Sequence, residues 1–115
     1  MRNLIKTAEY DSFFASLPEN VKTKIEYVAS IITLSNVINT KFVKKLENSL
    51  FYEMRISVEN EYRVLLYPVD NQNLIEAQEI LMLNGFLKKS TKDYKKQIAI
   101  ADRTMKSFSV KTDKR

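Results

Sequence analysis

Cysteine is absent from this chain, and so is histidine. Without cysteine there is no disulfide, no thiolate nucleophile and no Cys-based zinc site. Without histidine the commonest general base and the commonest metal ligand are both missing. Any catalysis must therefore use Lys, Arg, Tyr, Glu or Asp, and no metal or other cofactor is expected. Glycine occurs once and proline twice, so breaks are few and no linker stands out. There is no internal repeat and no low-complexity tract. No apolar run is long enough to span a bilayer, and the opening "MRNLIKTAEY" has no signal-peptide apolar core. These absences predict a cytoplasmic chain with no membrane partner.

What remains is an ordinary globular composition with a basic tilt. Of 115 residues, 44% are hydrophobic and 29% charged, and the formal net charge is +5. That length suits a single small domain, here residues 1–108, with 109–115 as a flexible tail. A basic excess points to an anionic partner, most often nucleic acid.

Hydrophobic spacing divides the chain. "RNLIKT" reads as a short first strand. Tyr10, Phe13, Phe14 and Leu17 have helical spacing, and Pro18 ends that helix or begins the next. Val21, Ile25, Val28 and Ile32 recur every three or four residues, so residues 19–34 read as an amphipathic helix, paired with the first as a helical hairpin. "TKFVKKLENS" (40–49) reads as a short surface helix, with a phosphate-tracking basic patch as its functional alternative. From Leu50 the period becomes two. Leu50, Tyr52, Met54, Ile56 and Val58 form an apolar face, opposite Phe51, Glu53, Arg55, Ser57 and Glu59. "ENE" (59–61) is a turn, "YRVLLYPV" (62–69) the next strand and "DNQN" (70–73) a second turn. "LIEAQEILMLNGF" holds a third strand, with "LIEAQE" read as part of it. Tyr94, Ile98, Ala101, Met105 and Phe108 share one helical face behind Asp93 as N-cap. The sum is a small α+β sandwich: a helical hairpin, an antiparallel sheet and a closing helix.

One stretch does not fit a plain core strand. "LNGFLKKSTKDYKK" ends an apolar run in Gly-Phe and follows it at once with two lysine pairs. A three-residue turn at 59–61 makes odd positions face odd positions across the hairpin, placing Arg55, Arg63 and Tyr67 on one face. One of Lys88 or Lys89, with Tyr94, would join them at the open end of the sheet. Phe86 would anchor the strand end, and Gly85 would let the backbone bend. Such a surface suits metal-free RNA cleavage. The 2′-hydroxyl supplies the nucleophile, and cations hold the charge of the phosphorane. A lysine crowded by other cations can lose a proton at neutral pH. By composition alone, a solvated polar face is the commoner origin of such charges.

"LFYEMRI", "YRVLLY" and "LNGFLKKSTKDYKKQIAIADR" together resemble the RelE/ParE superfamily of bacterial toxins, especially its phage-related HigB-like branch. The matching residues are Tyr52-Glu53-Met54-Arg55, Tyr62-Arg63 and Gly85-Phe86-Leu87-Lys88-Lys89. "FFASLPENVKTKIEYV" and "KFVKKLENS" are also similar to that branch. The resemblance implies a microbial RNase-like fold and a type II toxin that cleaves mRNA, usually in the ribosomal A site. It implies a cognate antitoxin, a helix-turn-helix protein like HigA, through which alone the toxin would reach operator DNA. It places the catalytic residues at Arg55, Arg63, Lys88 or Lys89, and Tyr94. RNA or ribosome contacts are expected at Lys41, Lys44, Lys45, Tyr67, Lys92, Lys95 and Lys96. This chain lacks the C-terminal His of some members and has Asp93-Tyr94 where many have Thr-Pro. A ParE-like inhibitor of DNA gyrase, or a non-catalytic phage-derived protein that only binds an antitoxin, are the alternative functions.

Overall fold

Pro18 separates two helices that cover one face of a five-stranded sheet, and a long C-terminal helix packs on the other face. The computed structural model describes the backbone of residues 1–113 and the side chains of residues 1–108. The elements are β1 (Asn3–Lys6), α1 (Ala8–Ala15), α2 (Glu19–Leu34), β2 (Val43–Lys45), β3 (Tyr52–Val58), β4 (Asn60–Pro68), β5 (Glu79–Leu87) and α3 (Lys92–Asp113). The side chains of the expected tail, 109–115, lie outside the described residues. Among the described residues no helix is long and apolar enough to cross a membrane.

Local chemistry sets the helix ends. The Thr7 hydroxyl accepts from Tyr10 N–H (3.1 Å) and donates to Met82 C=O (2.9 Å), so the N-cap of α1 also ties that helix to β5. Pro18, with no N–H to leave unpaired, stands at the N-cap of α2. The stripe Val21, Ile25, Val28 and Ile32 is fully buried, as its spacing requires. Arg2 is buried at the far end of α2. Its guanidinium donates to the carbonyls of Ile32, Asn36 and Ile75 at 2.8–3.2 Å, stapling the helix end to the β4–β5 connection.

The strand order is β1-β5-β4-β3-β2. β2 to β5 pair antiparallel, while β1 lies parallel to β5, which makes the sheet mixed. Met54, Ile56, Val64, Leu66, Ile80 and Met82 meet α1 and α2 in the larger core. Phe51, Leu65, Leu81, Leu83 and Phe86 meet α3 in a second core with Ala101 and Met105.

Four expectations need correction. "FVKK" is not helical: Val43–Lys45 is an edge strand paired with β3. The ladder partner outweighs a charge pattern that suits a surface helix. Leu50 is 61% exposed and Phe51 buried, so the apolar alternation starts at Tyr52; the α3-side core needs Phe51. Leu74–Glu76 form a turn, not the start of β5. Asn73 C=O accepts from the N–H groups of Glu76 and Ala77, and its side chain accepts from Ile75 N–H. Asp93 lies inside the first turn of α3 rather than before it, and its carboxylate reaches back to the N–H groups of Lys89 (2.8 Å) and Ser90 (2.9 Å).

Candidate active site

The β3–β4 hairpin sets the first part of the site. Its tip is Glu59, in the left-handed region at φ 61°, between paired Val58 and Asn60. This is tighter than the expected turn at 59–61, but it keeps odd positions opposite odd positions. Arg55 and Arg63 are direct cross-strand partners, on the face that α3 covers.

The β4–β5 pair decides which lysine joins them. Val64 pairs with Gly85 but Leu66 with Met82, so β5 carries one extra residue, a bulge across Leu83–Asn84. Before the bulge, odd residues Leu81 and Leu83 face α3; after it, even residue Phe86 does. The same parity aims Lys88 at the site, with its ammonium 5.7 Å from the Tyr94 ring centroid. Lys89 is exposed, and its N–H is held by Asp93. Gly85 has no positive φ. It is needed for a close approach instead: a Cβ there would sit 2.3 Å from the ring of Phe13 on α1. Phe86 anchors the strand end as expected, edge-on to Tyr94 at 5.5 Å.

The result is a cleft of about 240 Å³ lined by Lys44, Lys45, Leu46, Glu47, Glu53, Arg55, Lys88 and Tyr94. Beneath it lies a polar network. Arg63, only 2% exposed, lies 2.8 Å from Glu53 Oε1 through Nε and 3.1 Å from Glu61 Oε1 through a terminal nitrogen. Tyr94 Oη donates to Glu53 Oε1 (2.8 Å) and accepts from Arg63 Nε (3.2 Å). Arg55 is the outer member, 3.7 Å from Glu53 Oε1 and with its side chain 36% exposed.

Burial and the bond to Glu53 push the Tyr94 phenol above its ordinary value, against the pull of Arg63. It keeps its proton at neutral pH. Burial alone would lower the Arg63 guanidinium, but bonds to Tyr94 and Glu61 and the charge of Glu53 raise it overall, so Arg63 remains a cation. Bonds from Ser57 and Arg63 hold Glu61 below the usual carboxylate range.

The fold thus brings Arg55, Arg63, Lys88, Tyr94, Lys44 and Lys45 together. Lys41 is exposed over the ring of Phe42 (4.9 Å), and Lys92, Lys95 and Lys96 are exposed on the first turns of α3; none of these lines the cleft. Tyr67 stacks edge-on against Phe51 at 6.1 Å and lines a neighbouring groove with Leu50, Val69 and Lys45. Sequence reasoning placed Glu53 on the polar face of its strand and within the matching motif Tyr52-Glu53-Met54-Arg55, but gave neither it nor Glu61 a role. The available signal was Glu53 two positions before Arg55, on the same strand face.

Two N-terminal helices, a five-stranded mixed sheet and a C-terminal helix in this layered order make a RelE-like α+β fold. One chain of the solved RelB–RelE antitoxin–toxin complex from Methanococcus jannaschii matches this fold with a TM-score of 0.54 and 22% identity, over 78% of this chain and 96% of that one. The chain belongs to the phage-derived Gp49-like family (DUF891), whose sequence model matches residues 12–106. No curated protein matches it.

Proposed function

We propose that this chain is the toxin of a type II toxin–antitoxin system, a metal-independent endoribonuclease that cuts mRNA on the ribosome and so inhibits translation. The observation that carries the reading is the convergence of Arg55, Lys88 and Tyr94 on one cationic cleft, above the buried Arg63. The family and the RelE-like fold support it.

The chemistry follows from the residues. The RNA 2′-hydroxyl attacks the adjacent phosphorus, negative charge gathers on the phosphorane oxygens, and the bond from phosphorus to the 5′-oxygen breaks as that oxygen takes up a proton. Arg55 presents a planar fork to them and Lys88 a compact ammonium. Tyr94, protonated at neutral pH, is not the group that takes the 2′-proton; that falls to Lys88 or to a group on the RNA or ribosome. The exposed cations Lys41, Lys44, Lys92, Lys95 and Lys96 serve binding, with Lys45 at the cleft edge and the Tyr67 ring available for base stacking. A cognate helix-turn-helix antitoxin would neutralise the toxin and carry it to operator DNA, all in the cytoplasm.

The test is to add purified protein to ribosomes programmed with a defined mRNA and examine the product ends. Attack by the 2′-hydroxyl leaves a 2′,3′-cyclic phosphate and a 5′-hydroxyl. Products ending in 3′-hydroxyl would contradict this chemistry. Absence of cleavage together with inhibited gyrase supercoiling would favour the ParE-like alternative, and inactivity in both assays the non-catalytic one.

A further inference from the structure

A carboxylate on the floor of an anion-binding cleft is electrostatically adverse to its ligand, yet Glu53 lines this one and is 6% exposed. Its partners explain its presence. One oxygen, Oε1, receives the Tyr94 hydroxyl at 2.8 Å and lies 2.8 Å from Arg63 Nε, with Arg55 Nε 3.7 Å away. Glu53 reaches that point from the start of β3, where it pairs with Lys44 of β2 and Leu65 of β4, so its backbone is fixed on both sides.

The geometry points to Glu53 as a positioning residue, which binds Arg63 and Tyr94 into a neutral, rigid floor and leaves Arg55 and Lys88 as the cations that meet the phosphate. The inference rests on the nuclease reading for its purpose, but the arrangement itself stands apart from it. The pairing of charges supports the division. Arg63 is matched by Glu53 and Glu61, whereas Lys88 reaches over the ring of Tyr94. The Tyr94 ring is itself clamped, edge-on to Phe86 and bonded at its hydroxyl from two sides. A fixed ring fixes the surface over which Lys88 lies.

The charged groups around Tyr94 are Glu53 and Arg63, which bond its hydroxyl, Lys88, which lies over its ring, Arg55 and Glu61, which pair with Glu53 and Arg63 in turn, and Lys44, Lys45 and Glu47, which line the same cleft. Among them Glu53 is the carboxylate that accepts its proton. Glu53→Gln keeps the size and an acceptor but removes the charge, so Tyr94 should then ionise at lower pH than in the parent protein.

The experiment follows the ζ-carbon NMR signal of ring-labelled tyrosine through a pH titration, with Tyr94 assigned by its loss in Tyr94→Phe. The parent Tyr94 should titrate above free tyrosine, and Glu53→Gln should move it down. A parent Tyr94 that titrates at or below the free value would overturn the proposal, whether or not the variant folds. So would an unmoved midpoint in a folded Glu53→Gln protein. In the programmed-ribosome assay, Glu53→Gln should lower the single-turnover cleavage rate at least tenfold while ribosome affinity stays within twofold. Equal losses in rate and affinity would also overturn it. The NMR titration uses no RNA, so failure of the nuclease reading leaves its result intact.

Discussion

At the scale of single residues, Arg55 and Arg63 are partners in register but not in environment, and their substitutions should separate. Arg55→Ala removes a half-exposed donor from the cleft. A lost donor at a developing oxyanion costs about 3 kcal/mol, so cleavage should fall by about two orders of magnitude with little change in denaturant midpoint. Arg63→Ala leaves Glu53 buried without its main counter-ion. Breaking a buried pair from one side costs about 3–5 kcal/mol, so this variant should show a large drop in unfolding free energy, read by chemical denaturation. A stable, inactive Arg63→Ala protein would mean that Arg63 meets the substrate directly. The lysines should separate too. Lys88→Arg keeps the charge but loses a group able to release a proton; it should bind ribosomes and cleave poorly, whereas Lys89→Arg should be nearly silent in the same assays. Normal cleavage by Lys88→Arg would limit Lys88 to electrostatics. The identities Arg55, Arg63 and Tyr94 were legible in the sequence. Their partner Glu53 was not, because a lone glutamate on a strand's polar face looks like solvent-facing charge until α3 is laid over it.

At the scale of elements, the site depends on how β5 ends. The bulge at Leu83–Asn84 reverses which parity faces α3; Gly85 signals a break in the strand but fixes neither its position nor the parity after it, so Lys88 and Lys89 were indistinguishable before the structure. By contrast α2 was legible almost to the residue, because four buried positions repeat at helical spacing behind a proline. The odd-to-odd hairpin register was also readable, since a one-residue slip would expose Met54 and Ile56. β2 and the Leu74–Glu76 turn were misread because three strand residues show no period and a short apolar run fits several conformations. The packing of α1 on β5 yields a prediction: Gly85→Ala drives a methyl into the Phe13 ring. Overpacking of this kind costs about 1–3 kcal/mol, and Phe13→Leu in the same chain should recover part of it in thermal melts. The start of α3 yields another. Bonds from Lys89 and Ser90 N–H hold Asp93 below the usual carboxylate range. A lowered folded pKa gives stability that is present above the unfolded value and is lost as pH falls through the folded one. Asp93→Asn should therefore flatten the acid side of a stability–pH profile, and an unchanged profile would show that the bond contributes nothing.

At the scale of the whole molecule, α1 and α2 brace one sheet face while α3, Phe51 and Phe86 close the other, and the cationic cleft opens beside the start of α3. The basic charge extends beyond that cleft onto Lys41 and the lysines of α3. Ribosome binding should therefore weaken with salt, and neutralising Lys41, Lys44 and Lys45 should reduce the log–log slope by roughly 0.7–0.9 for each phosphate no longer neutralised. An unchanged slope would confine those lysines to solvation. The central claim, that the arginine–lysine cleft cuts translated mRNA, is tested most directly by inducing the chain in cells and mapping transcript 5′ ends across the transcriptome, beside an Arg55→Ala control. The account predicts new 5′-hydroxyl ends inside translated codons that vanish in the control. Growth arrest with DNA breaks and no such ends, or the same ends in Arg55→Ala cells, would contradict it.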